Sequence, residues 1–256
     1  MKNTFILFAS LLLTSLAHAD LNLRGTGTAT GTIAVIFEPK EILLKKLPAV
    51  LKLDERFIFP DGTYPVVLFM GEQTNLQSHT PAGSVLVEKK YREVTYTFTV
   101  VGPNKKNYTY TSNIIVDSVP SMLMGWALGY PKKLREMSHS STSLDAHSLS
   151  KLSVKAAFED IGSYDREQFI QNFNFLFATV PQTVSRNALG FQCFDFIWSF
   201  EESSLKPTRA VIELGSDFTT AEIKTHTSEG LNSTAFGAFK FRSGWEIKNI
   251  KKCDFE

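Results

Sequence analysis

Cysteine is scarce in this chain of 256 residues: only Cys193 and Cys253 occur, and neither sits in a CxxC pair. A zinc knuckle or a dithiol redox motif therefore has little support. Histidine is nearly as rare. Beyond the N-terminal segment there are His79, His139, His147 and His226, with no i,i+4 pair and no carboxylate-flanked metal motif, so no metal is expected. Long runs of one charge are missing as well. Basic and acidic residues number 27 and 26, and no cluster exceeds a Lys-Lys pair or Glu88-Lys89-Lys90; nucleic acid and anionic membrane surfaces are not expected partners. There is no GxSxG elbow, no P-loop and no internal repeat. The glycines of Thr26-Gly27-Thr28-Ala29-Thr30-Gly31 alternate with Thr and read as a strand of small side chains rather than a phosphate loop.

What is present begins with a leader. Lys2 precedes an apolar run from Phe5 to Leu16 that ends in Ala17-His18-Ala19, which matches a basic n-region, an h-region and a small-x-small cleavage site. The run is roughly a dozen residues where a bilayer span needs about twenty. We therefore expect a cleaved signal peptide over 1–19, a periplasmic or secreted product, and one domain over 20–256 with no membrane span. In an oxidising compartment Cys193 and Cys253 would be favoured to pair, closing a loop of about sixty residues. Two buried thiols that never meet are the alternative, and the sequence leaves both open.

Strand signals dominate. Thr alternates with larger residues through Val94-Thr95-Tyr96-Thr97-Phe98-Thr99-Val100, a period of two. Tyr108 to Val116 follows after Gly102-Pro103-Asn104, a turn signal, so the two runs predict a hairpin. Thr26 to Val35, Val66 to Met70, Phe191 to Phe200, Arg209 to Leu214 and Phe236 to Phe241 are further strands. Helices are few: Glu41 to Leu47, between Pro39 and Pro48, and Arg166 to Phe175, although Phe173 to Thr179 also suits a strand. The Ser-rich stretch Ser138 to Ser150 reads as an exposed loop. Elements do not alternate as βαβ units, so we expect an α+β, mainly antiparallel, barrel-like domain.

Lys132 and Lys133 follow Met122-Leu123-Met124-Gly125-Trp126-Ala127-Leu128-Gly129-Tyr130-Pro131, a stretch able to surround an amine with little water. A lysine is nucleophilic only when neutral, and an ordinary pKa of about 10.4 leaves on the order of one in a few thousand neutral at pH 7. Burial or a neighbouring cation would lower it. Adjacent strand residues point to opposite faces, so burial is the safer cause. A solvated Tyr-Pro-Lys-Lys turn is the plain alternative.

The segment Gly125 to Leu134 resembles the acetoacetate decarboxylase motif, in which a glycine precedes Tyr-Pro-Lys-Lys-Leu. That resemblance implies a β-barrel fold, a Schiff base on Lys132, and Lys133 as the second lysine of the site. Acetoacetate decarboxylase is itself the known example of a lysine activated in this way. Tyr91-Arg92-Glu93 resembles the family's Tyr-x-Glu segment and implies a place for Glu93 beside the reactive amine. Leu43-Leu44-Lys45-Lys46-Leu47-Pro48, Phe173-Asn174-Phe175 through Val180-Pro181, and Pro207-Thr208-Arg209 also fall where similar residues occur. The family's first-strand arginine, suited to a substrate carboxylate, has no counterpart in Thr26 to Thr32; Arg24 is near but out of register. An acidic position near Val66 to Met70 is apolar here, with Glu72 close by.

The resemblance thus implies a cofactor-independent carbon-carbon lyase acting on a keto acid or related carbonyl compound, with acetoacetate as the family default and a homo-oligomer as the family habit. The competing reading is an exported barrel that binds a small apolar or carbonyl ligand without turnover.

Overall fold

The computed structural model describes residues 24–149, 151–177, 182–187, 190–219, 223–229 and 237–255. The leader over 1–19, the Val180-Pro181 pair and Phe236 lie outside the described residues. In chain order the elements are β1 (Arg24–Pro39), α1 (Lys40–Leu44), β2 (Lys52–Leu53), β3 (Thr63–Thr80), β4 (Gly83–Val101), β5 (Asn107–Val116), α2 (Val119–Ala127), β6 (Lys132–Leu134), β7 (Glu136–His139), β8 (Ser143–Ser148), β9 (Lys151–Asp160), α3 (Arg166–Phe177), β10 (Gln182–Asn187), β11 (Gly190–Phe200), β12 (Lys206–Leu214), β13 (Lys224–Glu229) and β14 (Ala238–Lys252). Among the described residues no helix is long and apolar enough to cross a membrane.

Seven strands close into a barrel in the order β1-β3-β4-β5-β10-β11-β14, with β14 pairing back onto β1. All these pairings are antiparallel except β5 with β10. The remaining strands branch from β14 as β12-β9-β8-β7, with β13 on β12, β2 on β4 and β6 parallel to β5. Alternation along the barrel strands, shifted at a few bulges, gives the sheet two buried apolar faces. One face gathers Ala29, Ile33, Phe69, Tyr91, Phe194 and Phe241. It is the inner one: Phe69 of β3 meets Trp198 of β11 at 6.4 Å between ring centroids, although β1 and β14 separate those strands in the sheet. The other face, with Leu68, Met70, Val94 and Tyr96, packs against Ala156, Phe158 and Ile212 of the outer sheet.

The predicted hairpin is β4–β5, the predicted strands 26–35, 66–70, 191–200 and 209–214 fall within β1, β3, β11 and β12, and the described part of Phe236 to Phe241 enters β14 at Ala238. Helix α1 is shorter than its sequence pattern, ending at Leu44. In α3, residues 173–177 are helical, not extended. The Ser-rich stretch is a correction. Instead of an exposed loop, it forms most of the β7–β8 hairpin, with Leu144 and Ala146 buried. Its serines sit mostly at the outward positions of a period-two pattern, and that hid the strands. The structure joins Cys193 to Cys253 in a disulfide with Cα atoms 4.9 Å apart.

Candidate functional site

The lysine segment owes its shape to the way α2 begins and ends. Ser118 caps it, its hydroxyl accepting from the Ser121 amide, and Pro120 fits the first turn. At the other end Gly129 takes φ +83°, and the Tyr130 amide bonds back to the Gly125 carbonyl at 2.8 Å. This is a glycine-terminated cap that a β-carbon would strain. Pro131 cannot continue a helix, and the chain leaves extended as β6, pairing Ile114 with Lys132 and Ile115 with Lys133. Ile114 belongs to the inner face and Ile115 to the outer. Alternation then sends Lys132 into the barrel and Lys133 out of it.

Inside, the Lys132 amine lies 2.7 Å from Oε2 of Glu93 and donates at 3.1 Å to the Ser121 hydroxyl. The ring of Tyr91 lies below it, 5.3 Å from amine to centroid. The amine thus makes two hydrogen bonds and one cation–π contact. Both charged side chains are 9 % exposed. The stem of Lys132 crosses Gly125, where a Cβ would come within 2.3 Å of Cδ. Trp126 donates its indole N–H to the Lys132 carbonyl at 2.8 Å, tying helix to strand. Glu93 stands opposite Gly71 of β3, which pairs with Gly31 of β1. A Cβ on either glycine would collide with its neighbour's backbone at under 2.5 Å, so the wall beside Glu93 carries no side chains there. Burial, with the charge of Glu93, pushes the Tyr91 and Tyr130 phenols upward, keeping both neutral.

Outside, Lys133 reaches Asp217 at 3.2 Å, and Arg135 holds the same carboxylate through Nε at 2.6 Å and a terminal nitrogen at 2.7 Å. Ser153 adds a hydroxyl at 2.6 Å. Burial would raise the Asp217 carboxyl, but the hydrogen bonds from Arg135, Ser153 and Lys133 outweigh it and hold the group at about 2. The structure therefore brings Lys132 and Glu93 together and sets Lys133 on the opposite face. Ser121, Gly125 and Asp217 were not singled out from the sequence. Ser118-Val-Pro-Ser121 carries a helix-start signal that would have placed Ser121 one turn before Gly125. Nothing local points to Asp217, whose partners Ser153 and Arg135 lie 64 and 82 residues away.

A family model for acetoacetate decarboxylase matches residues 28–184, the span that holds Glu93, Ser121 and Lys132. The chain belongs to the acetoacetate decarboxylase family. Comparison with curated proteins gives no match. Among solved structures, an acetoacetate decarboxylase-like enzyme from Sphingomonas wittichii RW1 aligns with TM-score 0.63 and 16% identity, covering 93% of this chain and 95% of that one. The enduracididine biosynthesis enzyme MppR, in complex with pyruvate, aligns with TM-score 0.58 and 10% identity over 90% and 89% of the two chains. A structure of acetoacetate decarboxylase gives 0.55 and 12%, covering 93% of each. At these identities the likeness is one of fold. The family contains Schiff-base enzymes, and along β1 the inward positions of this chain, Gly25, Gly27, Ala29, Gly31 and Ile33, are small or apolar.

Proposed function

We propose that the protein forms a Schiff base between Lys132 and a small carbonyl compound and uses the imine as the electron sink of a carbon-carbon lyase. The observation that carries this reading is an amine buried inside the barrel, 2.7 Å from the carboxylate of Glu93. The amine attacks the carbonyl carbon as its free base, and Glu93 is in position to take the proton it sheds. Ser121 supplies a hydroxyl beside the same nitrogen, able to hydrogen bond the carbinolamine as water leaves. The protonated imine that follows is an electron sink, able to accept the pair released when a bond from the adjacent carbon, to carbon or to hydrogen, is broken. No cofactor is required. Lys133 acts in this scheme through Asp217, as a support of β6 and not as a group in contact with substrate.

The test is borohydride reduction of the purified protein with a panel of keto acids, ketones and aldehydes, followed by peptide mapping. A reduced adduct on Lys132, missing from Lys132→Ala, is the expected result. A folded protein that yields no adduct with any compound would favour a barrel that binds a ligand without turnover.

We also propose that residues 1–19 are removed on export, leaving one domain over 20–256. The support is the basic, apolar and small-x-small order of the first residues. N-terminal sequencing of the protein recovered from the periplasm or medium should begin at Asp20. An intact Met1 in that fraction would overturn it.

A further inference from the structure

Lys132 is the one buried lysine or arginine among the described residues; the other buried charged side chains are the carboxylates of Glu38, Asp54 and Glu93. The internal segments outside the described residues contain no lysine or arginine at all, so they hold no cation to add. On the inner face β1 offers Gly25, Gly27, Ala29, Gly31 and Ile33: a Cβ on Gly25 or Gly27 would meet the ring of Trp245, and Ala29 and Ile33 belong to the inner cluster. Facing them are Phe69, Gln73, Trp198, Phe241 and Trp245, with Gln73 already accepting from the Trp245 indole at 2.7 Å. A cavity of about 30 Å³ between α2 and this wall, lined by Met124, Leu128, Trp245 and Ile247, is apolar too. Arg24 borders it, but its guanidinium is held at 2.6 Å by Glu246 and is half exposed.

Lys132 and Glu93 therefore neutralise each other. In the condensation a lysine ammonium and a carbonyl compound become a protonated imine and water. The carbon–nitrogen double bond replaces the carbonyl bond, whose oxygen leaves in the water, so the positive charge stays on nitrogen and Glu93 remains its counterion. A keto acid would bring a second carboxylate beside Glu93 in an aromatic interior where the described residues supply no further cation, which both desolvation and like-charge repulsion oppose. An uncharged carbonyl compound brings only apolar surface and one acceptor. Resting on the Schiff-base reading above, we infer that the compound that reaches Lys132 is a neutral, mainly apolar aldehyde or ketone, and not a keto acid.

The experiment compares partners of matched skeleton, benzylacetone with benzylpyruvate and butanone with α-ketobutyrate. Each borohydride-trapping rate on Lys132 is divided by the rate of the same compound on a free lysine derivative, which removes intrinsic electrophilicity. We expect the neutral member to label at least roughly tenfold faster, and Glu93→Gln to narrow that gap by about threefold or more. Keto acids that label Lys132 as fast as or faster than their neutral partners would overturn the inference while leaving the Schiff base standing. A gap that Glu93→Gln leaves unchanged would overturn its assignment to charge. A folded protein in which no compound labels Lys132 would take the Schiff-base reading down as well.

Discussion

A methyl group at position 125 would lie 2.3 Å from Cδ of Lys132 and 2.6 Å from Cε, so Gly125 is the residue that lets the lysine stem pass under α2. Gly125→Ala should destabilise the fold by about 1–3 kcal/mol through overpacking and slow adduct formation on Lys132 by roughly tenfold or more, because the amine must leave Glu93 and Ser121 to relieve the clash. Thermal melting and trapping rates on the same preparation check both halves. The neighbouring lysine should behave differently. Lys133 is 44 % exposed and shares Asp217 with Arg135, so Lys133→Ala should lower stability by under about 1 kcal/mol and leave labelling of Lys132 in place. Complete loss of labelling in Lys133→Ala would show that the second lysine does more than support the strand. The motif named both lysines, and only the alternation of a strand with one buried face separates their roles.

At the scale of elements, β6 is a three-residue strand whose pairing runs to β5. Its outward side chains bind the turn after β12, where Asp217 accepts from Lys133, Arg135 and Ser153 while its backbone carbonyl accepts from Asn113 of β5. That turn is held down again by Phe218, whose ring leans on Tyr96 and whose carbonyl accepts from Lys46 at 2.7 Å. Asp217→Asn should loosen β6 and lower the melting temperature at neutral pH. The sign of the pH dependence follows from a folded-state carboxyl held at about 2 against 3.8 for an ordinary aspartate. The stabilisation is complete above the unfolded value and is lost as pH falls through the folded one. The stability gap between wild type and Asp217→Asn, measured by denaturant titration, should therefore be constant above about pH 5 and shrink between about 4 and 2. A gap that stays constant to pH 2 would rule out the charge of Asp217 as its source. Elements with local signals, such as the β4–β5 hairpin and the proline-bounded α1, are readable from the sequence. Helix α2 carries a start signal in Ser118-Val119-Pro120-Ser121, but its apolar run around Gly125 reads first as a lining.

For the whole molecule, the barrel closes at its thinnest seam between β5 and β10, where among the described residues Thr183 pairs with Thr109 and Val184 with Tyr110. The chain's last described residues lie across that seam. Cys253 is bonded to Cys193, which stands opposite Val184, and Phe255 packs on both Phe191 and Tyr108 of β5 at 5.2 and 5.9 Å between centroids. Asn104 donates to the Asp254 carbonyl at 2.8 Å. Reduction of the disulfide should cost about 2–4 kcal/mol, and truncation after Lys252 should cost more, since it also removes Phe255. Both should raise amide exchange first in β10. Thermal melts with and without reductant, followed by exchange mass spectrometry, would reveal this, and uniform exchange across all barrel strands would contradict it.

The sequence alone determined the strand-rich class, through period-two alternation, and the local path of the lysine segment, through a capping serine, a glycine able to take positive φ and a proline that ends the helix. Those are interactions between residues a few positions apart, and they are written in the order of the chain. Only the tertiary structure decided that Glu93, Ser121 and Lys132 converge inside a closed aromatic barrel while Lys133 turns outward to Asp217. Barrel closure joins strands from opposite ends of the chain, and which face becomes the interior is settled by the packing of all of them together.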